Sequence, residues 1–127
     1  MKVLVLNAGS SSQKSCLYQL SDSTLPEQPP KPIWHAEIDW TVLPGRGILN
    51  VQANGTAQEI QLETDDRCQG IGRMLDTLVK SKVKVLDSLS EITIVGHRVV
   101  HGGTKYSQAT LITPEVKAAI AELIPLA

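Results

Sequence analysis

The first half of the chain alternates short apolar runs with polar breaks, a pattern that is typical of β-strands. Val3–Leu6 is an unbroken apolar run, which indicates a strand buried on both faces. After a polar turn the sequence becomes apolar again from Cys16, and this predicts a second strand. From Ile33 to Trp40 apolar and polar residues alternate, so we expect a third strand with one face in the core.

Two further strands are predicted on either side of a hairpin. Asn54-Gly55 is a strong signal for a tight turn, and it separates apolar patterns at 48–53 and 57–63. By this count about five strands precede the first helix.

The second half of the chain shows helical spacing in two places. We predict a helix at 66–80, capped by Asp65 or Asp66, and a second helix with Thr113 as its N-cap and Pro114 in its first turn. The core stripe expected for the first helix is Cys68, Ile71, Leu75, Leu78 and Val79.

Composition narrows the class of protein. A chain of 127 residues with 42% hydrophobic residues suits one folded domain rather than a disordered segment. The net charge of −1 gives no electrostatic basis for binding nucleic acid or an anionic membrane. Cys16 and Cys68 do not make a disulfide framework, and we expect both to be reduced core residues of a cytoplasmic protein. We find no signal peptide and no apolar segment long enough to span a bilayer.

The first strand leads into a turn whose residues can bind an anion. Gly9 is followed by three serines and then by Lys14, so the turn combines backbone amides, hydroxyl donors and a cation. The segment is not a P-loop, because Gln13 stands where that motif has glycine and a strand follows instead of a helix. An exposed turn rich in glycine and serine, without a ligand, remains the alternative.

The second motif, GHRVVHGG at 96–103, follows Ile92–Val95, which predicts a buried strand. His97 and His101 have the spacing of a zinc pair on a helix, but the flanking glycines and the paired valines favour an extended segment. Open α/β sheets bind ligands at such strand ends. Arg98 can therefore bind a carboxylate or phosphate in a bidentate manner, or it can form a structural ion pair.

Two segments together resemble the acetate kinase family. They are VLVLNAGSSSQK at 3–14 and GHRVVHGG at 96–103, and the resemblance extends over essentially the whole chain. It implies an α/β fold, a ribonuclease-H-like domain of the acetate and sugar kinase, chaperone and actin superfamily, with a mixed five-stranded sheet and helices. We expect residues 1–127 to be the amino-terminal domain, with the carboxy-terminal domain absent.

The resemblance also implies an activity and a set of site residues. Family members reversibly transfer the γ-phosphoryl group of ATP to acetate, giving acetyl phosphate and ADP, with Mg²⁺ (or Mn²⁺) as cofactor. By this resemblance Arg98 and Lys14 are catalytic, and Arg98 also binds acetate or the phosphoryl group. The resemblance also implies that Ser10, Ser12 and Lys14 contact phosphate and that Asn7 lies at the metal end of the cleft. It implies that Val100 forms part of the pocket for the acetate methyl group, and that His97 and His101 support Arg98.

Several parts of the family's site have no counterpart in this sequence. The catalytic Asp, a further His and Arg, the adenosine site and a metal-binding Glu are missing, so we expect this polypeptide alone to be inactive. The apolar ending at Ile124–Ala127 suggests a chain cut from a longer one, which we expect to be a cytoplasmic homodimer that binds neither nucleic acid nor membrane. The alternatives are a propionate or butyrate kinase, and a stand-alone module that binds phosphate or a partner chain.

Overall fold

The computed structural model describes residues 1–126, which form one six-stranded mixed sheet with two α-helices. The predicted mixed sheet is confirmed, but the count of five strands is wrong, because a strand after the first helix joins the five that precede it. The strands are β1 (Lys2–Ala8), β2 (Ser12–Gln19), β3 (Trp34–Leu43), β4 (Arg46–Ala53), β5 (Thr56–Gln61) and β6 (Ile94–Arg98). Their order is β5-β4-β3-β2-β1-β6. Only β1 and β6 pair in parallel among these neighbours.

The helices are α1 (Arg67–Lys80) and α2 (Pro114–Ala121), and two 3₁₀ turns lie at Leu89–Glu91 and Ile124–Leu126. Both predicted helix starts are confirmed. The Asp66 carboxylate accepts a hydrogen bond from the Gln69 amide at 3.0 Å, and the Thr113 hydroxyl accepts one from the Val116 amide at 3.2 Å. These side chains satisfy amides that have no partner within the helix.

The core lies between α1 and one face of the sheet. Its fully buried side chains include Leu17, Trp34, Ile38, Leu49, Met74 and Leu78. The buried face of α1 is formed by Gly70, Met74, Thr77 and Leu78. The predicted stripe is therefore partly wrong, because Cys68 lies off this face and is exposed. The separate prediction that Cys16 is a core residue is only partly right, since Cys16 on β2 is half-buried. Both cysteines are free.

The strand predicted at Ile92–Val95 begins later and is not buried. β6 runs from Ile94 to Arg98, and the side chains of Ile94 and Val95 are 48% and 53% exposed. The physical reason is its position, since within the described residues β6 has a neighbouring strand on one side only. None of the helices in residues 1–126 is both long enough and apolar enough to cross a bilayer.

Candidate functional site

The two sequence motifs meet at one end of the sheet. Asn7 on β1 lies opposite Lys14 on β2 and opposite Arg98 on β6. Residues directly opposite each other on neighbouring strands share a face of the sheet. Lys14, Asn7 and Arg98 therefore project from the same face. That face is opposite the one that packs on α1, since Leu4 and Leu17, of the other parity, lie in the core; we call it the open face.

Lys14 and Arg98 belong to a row of polar residues that crosses the whole sheet. Because neighbouring strands are spaced by about 4.8 Å, the backbones of these two residues are about 10 Å apart on either side of Asn7. Two long cationic side chains at that spacing can contact one anion between them. In strand order from β5 the row is Glu59, Asn50, Glu37, Lys14, Asn7 and Arg98.

The guanidinium group of Arg98 is oriented by Asn7. Its Nη1 donates a hydrogen bond to Asn7 Oδ1 at 3.3 Å. Within residues 1–126, no carboxylate lies within 4.0 Å of the Arg98 or Lys14 cations. The alternative of a structural ion pair for Arg98 therefore finds no support in this part of the chain, and both cations are available to an anion.

The turn between β1 and β2 places the serines beside this pair of cations. The Gly9 amide donates to the Ser12 carbonyl at 2.7 Å and closes the turn. Ser12 has the same parity on β2 as Lys14, so its side chain lies on the open face. Ser10 lies in the turn itself and is exposed. The structure thus brings Ser10, Ser12 and Lys14 to the end of the sheet where Arg98 lies.

Two carboxylates on β3 limit the positive region on one side. Glu37 lies opposite Lys14, and Asp39 lies opposite Ser12. The Thr41 hydroxyl and amide donate to Asp39 Oδ1 at 2.6 and 2.8 Å. Both bonds lower the pKa of Asp39, the one from the hydroxyl having the larger effect, and keep the carboxylate ionised. Since like charges repel, an anion is favoured between Lys14 and Arg98 and disfavoured over β3.

Val100 lies near Arg98 in sequence but in a different depression. It lines a cavity of about 370 Å³ between the end of β6 and α2, and Arg98 does not line that cavity. The Val100 side chain is 69% exposed. Residues 1–126 therefore do not bring Val100 and Arg98 into one enclosed pocket. The other apolar side chains of the cavity include Val99, Ile112, Val116 and Ile120.

The two histidines of the second motif contact backbone. His97 Nδ1 donates a hydrogen bond to the Arg98 carbonyl oxygen at 2.9 Å, and His101 Nδ1 accepts one from the Gly103 amide at 3.0 Å. A side chain at Gly102 would collide with the carbonyl oxygen of Tyr106. No group of three His, Cys, Asp or Glu side chains with metal-binding spacing occurs in residues 1–126.

A larger cavity lies at the other end of the sheet. It has a volume of about 510 Å³ and lies beside His35 and the Asn54-Gly55 hairpin. None of its lining residues belongs to either of the two motifs, and none of them is a lysine or an arginine. We therefore place the candidate site at the Lys14 and Arg98 end, on chemistry rather than on cavity size.

Two residues that contact the turn between β1 and β2 were not indicated by the sequence. The Arg67 guanidinium lies 4.5 Å from the centre of the Trp40 ring, and its Nη2 donates to the Ser10 carbonyl at 3.4 Å. Trp40 was predicted only as a core strand residue, and Arg67 only as the first turn of a helix. Their proximity depends on how α1 packs on β3, for which the sequence carries no local signal.

Comparison with known proteins identifies a family and agrees with the fold. The family model described as the acetokinase family matches residues 2–127. The chain belongs to the acetokinase family. This acetokinase-family chain is 61% identical over 127 residues to an acetate kinase of Gloeothece citriformis. It is 65% identical over 127 residues to an acetate kinase of a Synechocystis strain.

Each of these two alignments covers 100% of this acetokinase-family chain and 31% of the relative, so the chain spans about a third of the length of the relatives it matches. Among solved structures, the acetate kinase of Porphyromonas gingivalis superposes with a TM-score of 0.77 at 35% identity. That superposition covers 98% of this chain and 30% of the other. The acetate kinase fold is thus shown for the described domain.

Proposed function

We propose that this chain forms the phosphoryl- and acetate-binding part of an acetate kinase. The observation that carries the proposal is the alignment of Lys14, Asn7 and Arg98 in one row on the open face. The position of Ser12 on the same face supports it, as does membership of the acetokinase family. The proposed reaction is reversible transfer of the γ-phosphoryl group of ATP to acetate, giving acetyl phosphate and ADP.

The chemistry requires positioning and charge neutralisation more than proton transfer. Acetate is already an anion, so its attack on phosphorus needs no general base, but it must approach another anion closely. Arg98, oriented by Asn7, would hold the carboxylate or the phosphoryl oxygens, and Lys14 would neutralise charge on the transferring group. Ser10 and Ser12 would donate hydrogen bonds to the same phosphate. Val100 lies in a separate depression in residues 1–126, so it would contribute a wall beside the methyl group only in the complete protein.

The residues present fit a metal that is held mainly by the nucleotide. Magnesium in phosphoryl-transfer sites is bound through one or two protein oxygens together with phosphates and water. Asn7 Oδ1 offers one neutral oxygen, and it already accepts from Arg98. We propose that Asn7 lies next to Mg²⁺, with Mn²⁺ as a possible substitute. The metal would supply charge neutralisation between the nucleotide phosphates.

The 127 residues do not supply a whole active site in this proposal. The ATP- and ADP-binding groups and the remaining catalytic residues would come from the two thirds of the relatives that this chain does not match. We therefore propose that the isolated chain is inactive and that the complete enzyme is a cytoplasmic homodimer. The free state of both cysteines fits a reducing compartment.

A chimera tests the proposal. Residues 1–127 would be joined to the remaining part of the Synechocystis relative, and acetyl phosphate would be measured as its hydroxamate. We expect the chimera to be active and the 127-residue chain to be inactive. Arg98→Ala should lower kcat/KM of the chimera by about 10²–10³-fold, whereas Arg73→Ala on the exposed side of α1 should leave it unchanged.

Three results would change the proposal. A folded chimera that makes no acetyl phosphate would contradict it. An Arg98→Ala chimera with unchanged kcat/KM would remove Arg98 from the site. A higher kcat/KM for propionate or butyrate than for acetate would favour the kinase of longer acids.

A further inference from the structure

The Trp40 ring lies in a narrow slot between β4 and α1, next to the turn between β1 and β2. A Cβ added at Gly47 would lie 2.8 Å from two ring carbons, and one added at Gly70 would collide with ring atom Cη2. Glycine at both positions therefore lets β4 and α1 contact the ring directly. Arg67 covers part of the same ring at 4.5 Å from its centre, a distance at which cation–π attraction is significant.

Arg67 and Trp40 each donate a hydrogen bond to a carbonyl oxygen of this turn. Arg67 Nη2 donates to the Ser10 carbonyl at 3.4 Å, and the Trp40 amide donates to the Ser11 carbonyl at 3.0 Å. Beside these contacts lies a cavity of about 200 Å³, which is lined by turn residues together with Trp40, Arg67 and Ile71. The turn is thus fixed at two consecutive peptide units, with little other packing beneath it.

Fixing a carbonyl also fixes the next amide. No peptide bond in the described residues is cis, and in a planar trans peptide the C=O and N–H bonds point in opposite directions. With the Ser10 carbonyl directed to Arg67, the Ser11 N–H is directed away from it. With the Ser11 carbonyl directed to β3, the Ser12 N–H is directed toward the β1 side, where Asn7 and Arg98 lie.

We propose that Arg67, together with Trp40, is a positioning residue that presents the amides of Ser11 and Ser12 to the phosphoryl group. Within residues 1–126 no acceptor takes a hydrogen bond from the Ser11 amide. An anion held by Lys14 and Arg98 can accept from it, as in other backbone anion cradles. The inference rests on the proposed function, because it assumes a phosphoryl group at this turn.

The test uses the 127-residue chain, inorganic phosphate as the probe and backbone amide NMR as the readout. Arg67→Gln should move the Ser11 and Ser12 amide resonances before phosphate is added. It should also weaken phosphate binding by about tenfold, the value of one oriented hydrogen bond. Arg67→Lys keeps a cation over the ring and a donor, so it should recover part of that loss. Arg73→Gln, on the same helix, should change neither quantity.

The outcomes separate this inference from the proposed function. A folded Arg67→Gln chain that binds phosphate within twofold of the parent overturns the role of Arg67. Saturating phosphate that shifts neither Ser11 nor Ser12 in the parent chain overturns it too, whatever the activity of the chimera. The opposite result is also informative. If the 127-residue chain shows the expected amide shifts but the chimera makes no acetyl phosphate, the proposed function is contradicted and the positioning role is left intact.

Discussion

Arg98 donates a hydrogen bond to Asn7 across the parallel strands β1 and β6, with 3.3 Å between Nη1 and Oδ1. The two residues are 91 positions apart in sequence and directly opposite each other in register. The contact couples the two sequence motifs, because it orients the cation of one by the carboxamide of the other. Lys14 lies opposite Asn7 on the other neighbouring strand, β2, so the strand register places Lys14 next to the same anion position.

Replacing Asn7 with Asp should convert this contact into an ion pair. The new carboxylate would neutralise Arg98 and repel a phosphate, so phosphate affinity should fall by about tenfold or more, while the melting temperature stays unchanged or rises. Isothermal titration with phosphate measures the first quantity and circular dichroism the second. Asn50→Asp adds the same charge to the same row two strands beyond Lys14 and is the control. Unchanged affinity in Asn7→Asp would contradict the site.

Gly70 and Gly72 should respond oppositely to alanine. Gly70→Ala forces a methyl group against the Trp40 ring, and we expect it to lower the free energy of unfolding by about 1–3 kcal/mol. Gly72 has nothing within 4 Å of an added Cβ, so Gly72→Ala should raise stability by about 0.5–1 kcal/mol through helix propensity. Urea unfolding of both variants measures the difference. Equal effects of the same sign would show that α1 does not contact Trp40.

The hydrogen bond from Trp34 Nε1 to Thr77 Oγ1, at 3.2 Å, ties α1 to the sheet inside the core. Thr77→Val keeps the shape but leaves the buried indole N–H without an acceptor. Stability should fall by about 1–3 kcal/mol, measured by chemical denaturation. Thr77→Ser retains the oxygen and loses only a methyl group, so it should cost less. A Val variant as stable as the parent would refute the bond.

The Glu91 carboxylate should make stability dependent on pH. Oε2 accepts from the amides of Ser88 at 3.0 Å and Asp87 at 2.7 Å, and Oε1 accepts from Lys2 at 3.2 Å. These bonds lower the pKa of Glu91 below its ordinary value of 4.5, and the bond from the Ser88 amide has the largest effect. A lowered folded-state pKa contributes stability that is present above the unfolded value and is lost as pH falls through the folded value.

The melting temperature of Glu91→Gln should therefore lie below that of the parent at neutral pH. The gap should close in acid, at a pH below the ordinary value of 4.5. Thermal melts of both chains across that range measure it. A gap that is independent of pH would show that the ionised carboxylate does not stabilise the turn.

Local patterns predicted most of the fold. The alternation from Ile33 to Trp40, the Asn54-Gly55 turn and the caps at Asp66 and Thr113 each depend on a few neighbouring residues, and each is found in the structure. The exposure of β6 was not predictable in this way. An apolar run has the same appearance in a central strand and in a strand with one neighbour, since the difference lies in what pairs with it.

The candidate site was predictable in its residues but not in its geometry. The motifs identified Lys14 as a cation in a turn and Arg98 as a cation at a strand end. The structure places Lys14 within β2, and the row that the two residues share depends on the register of three strands. Gly70 and Gly72 lie two positions apart in the same helix, and the contacts of Gly70 with Trp40 and Leu62 distinguish them. Arg67 likewise has no motif of its own, because its contact with Ser10 spans 57 positions.

The central claim is that Lys14 and Arg98 together bind one phosphoryl-type anion on the open face. The most direct measurement is the affinity of this chain for inorganic phosphate in Lys14→Met and Arg98→Met, with Arg73→Met as the control for charge. We expect each of the first two to lose about tenfold in affinity, as for a charge-assisted hydrogen bond, and the control to lose less than twofold. An Arg98→Met or Lys14→Met chain that binds phosphate as tightly as the parent would contradict the claim.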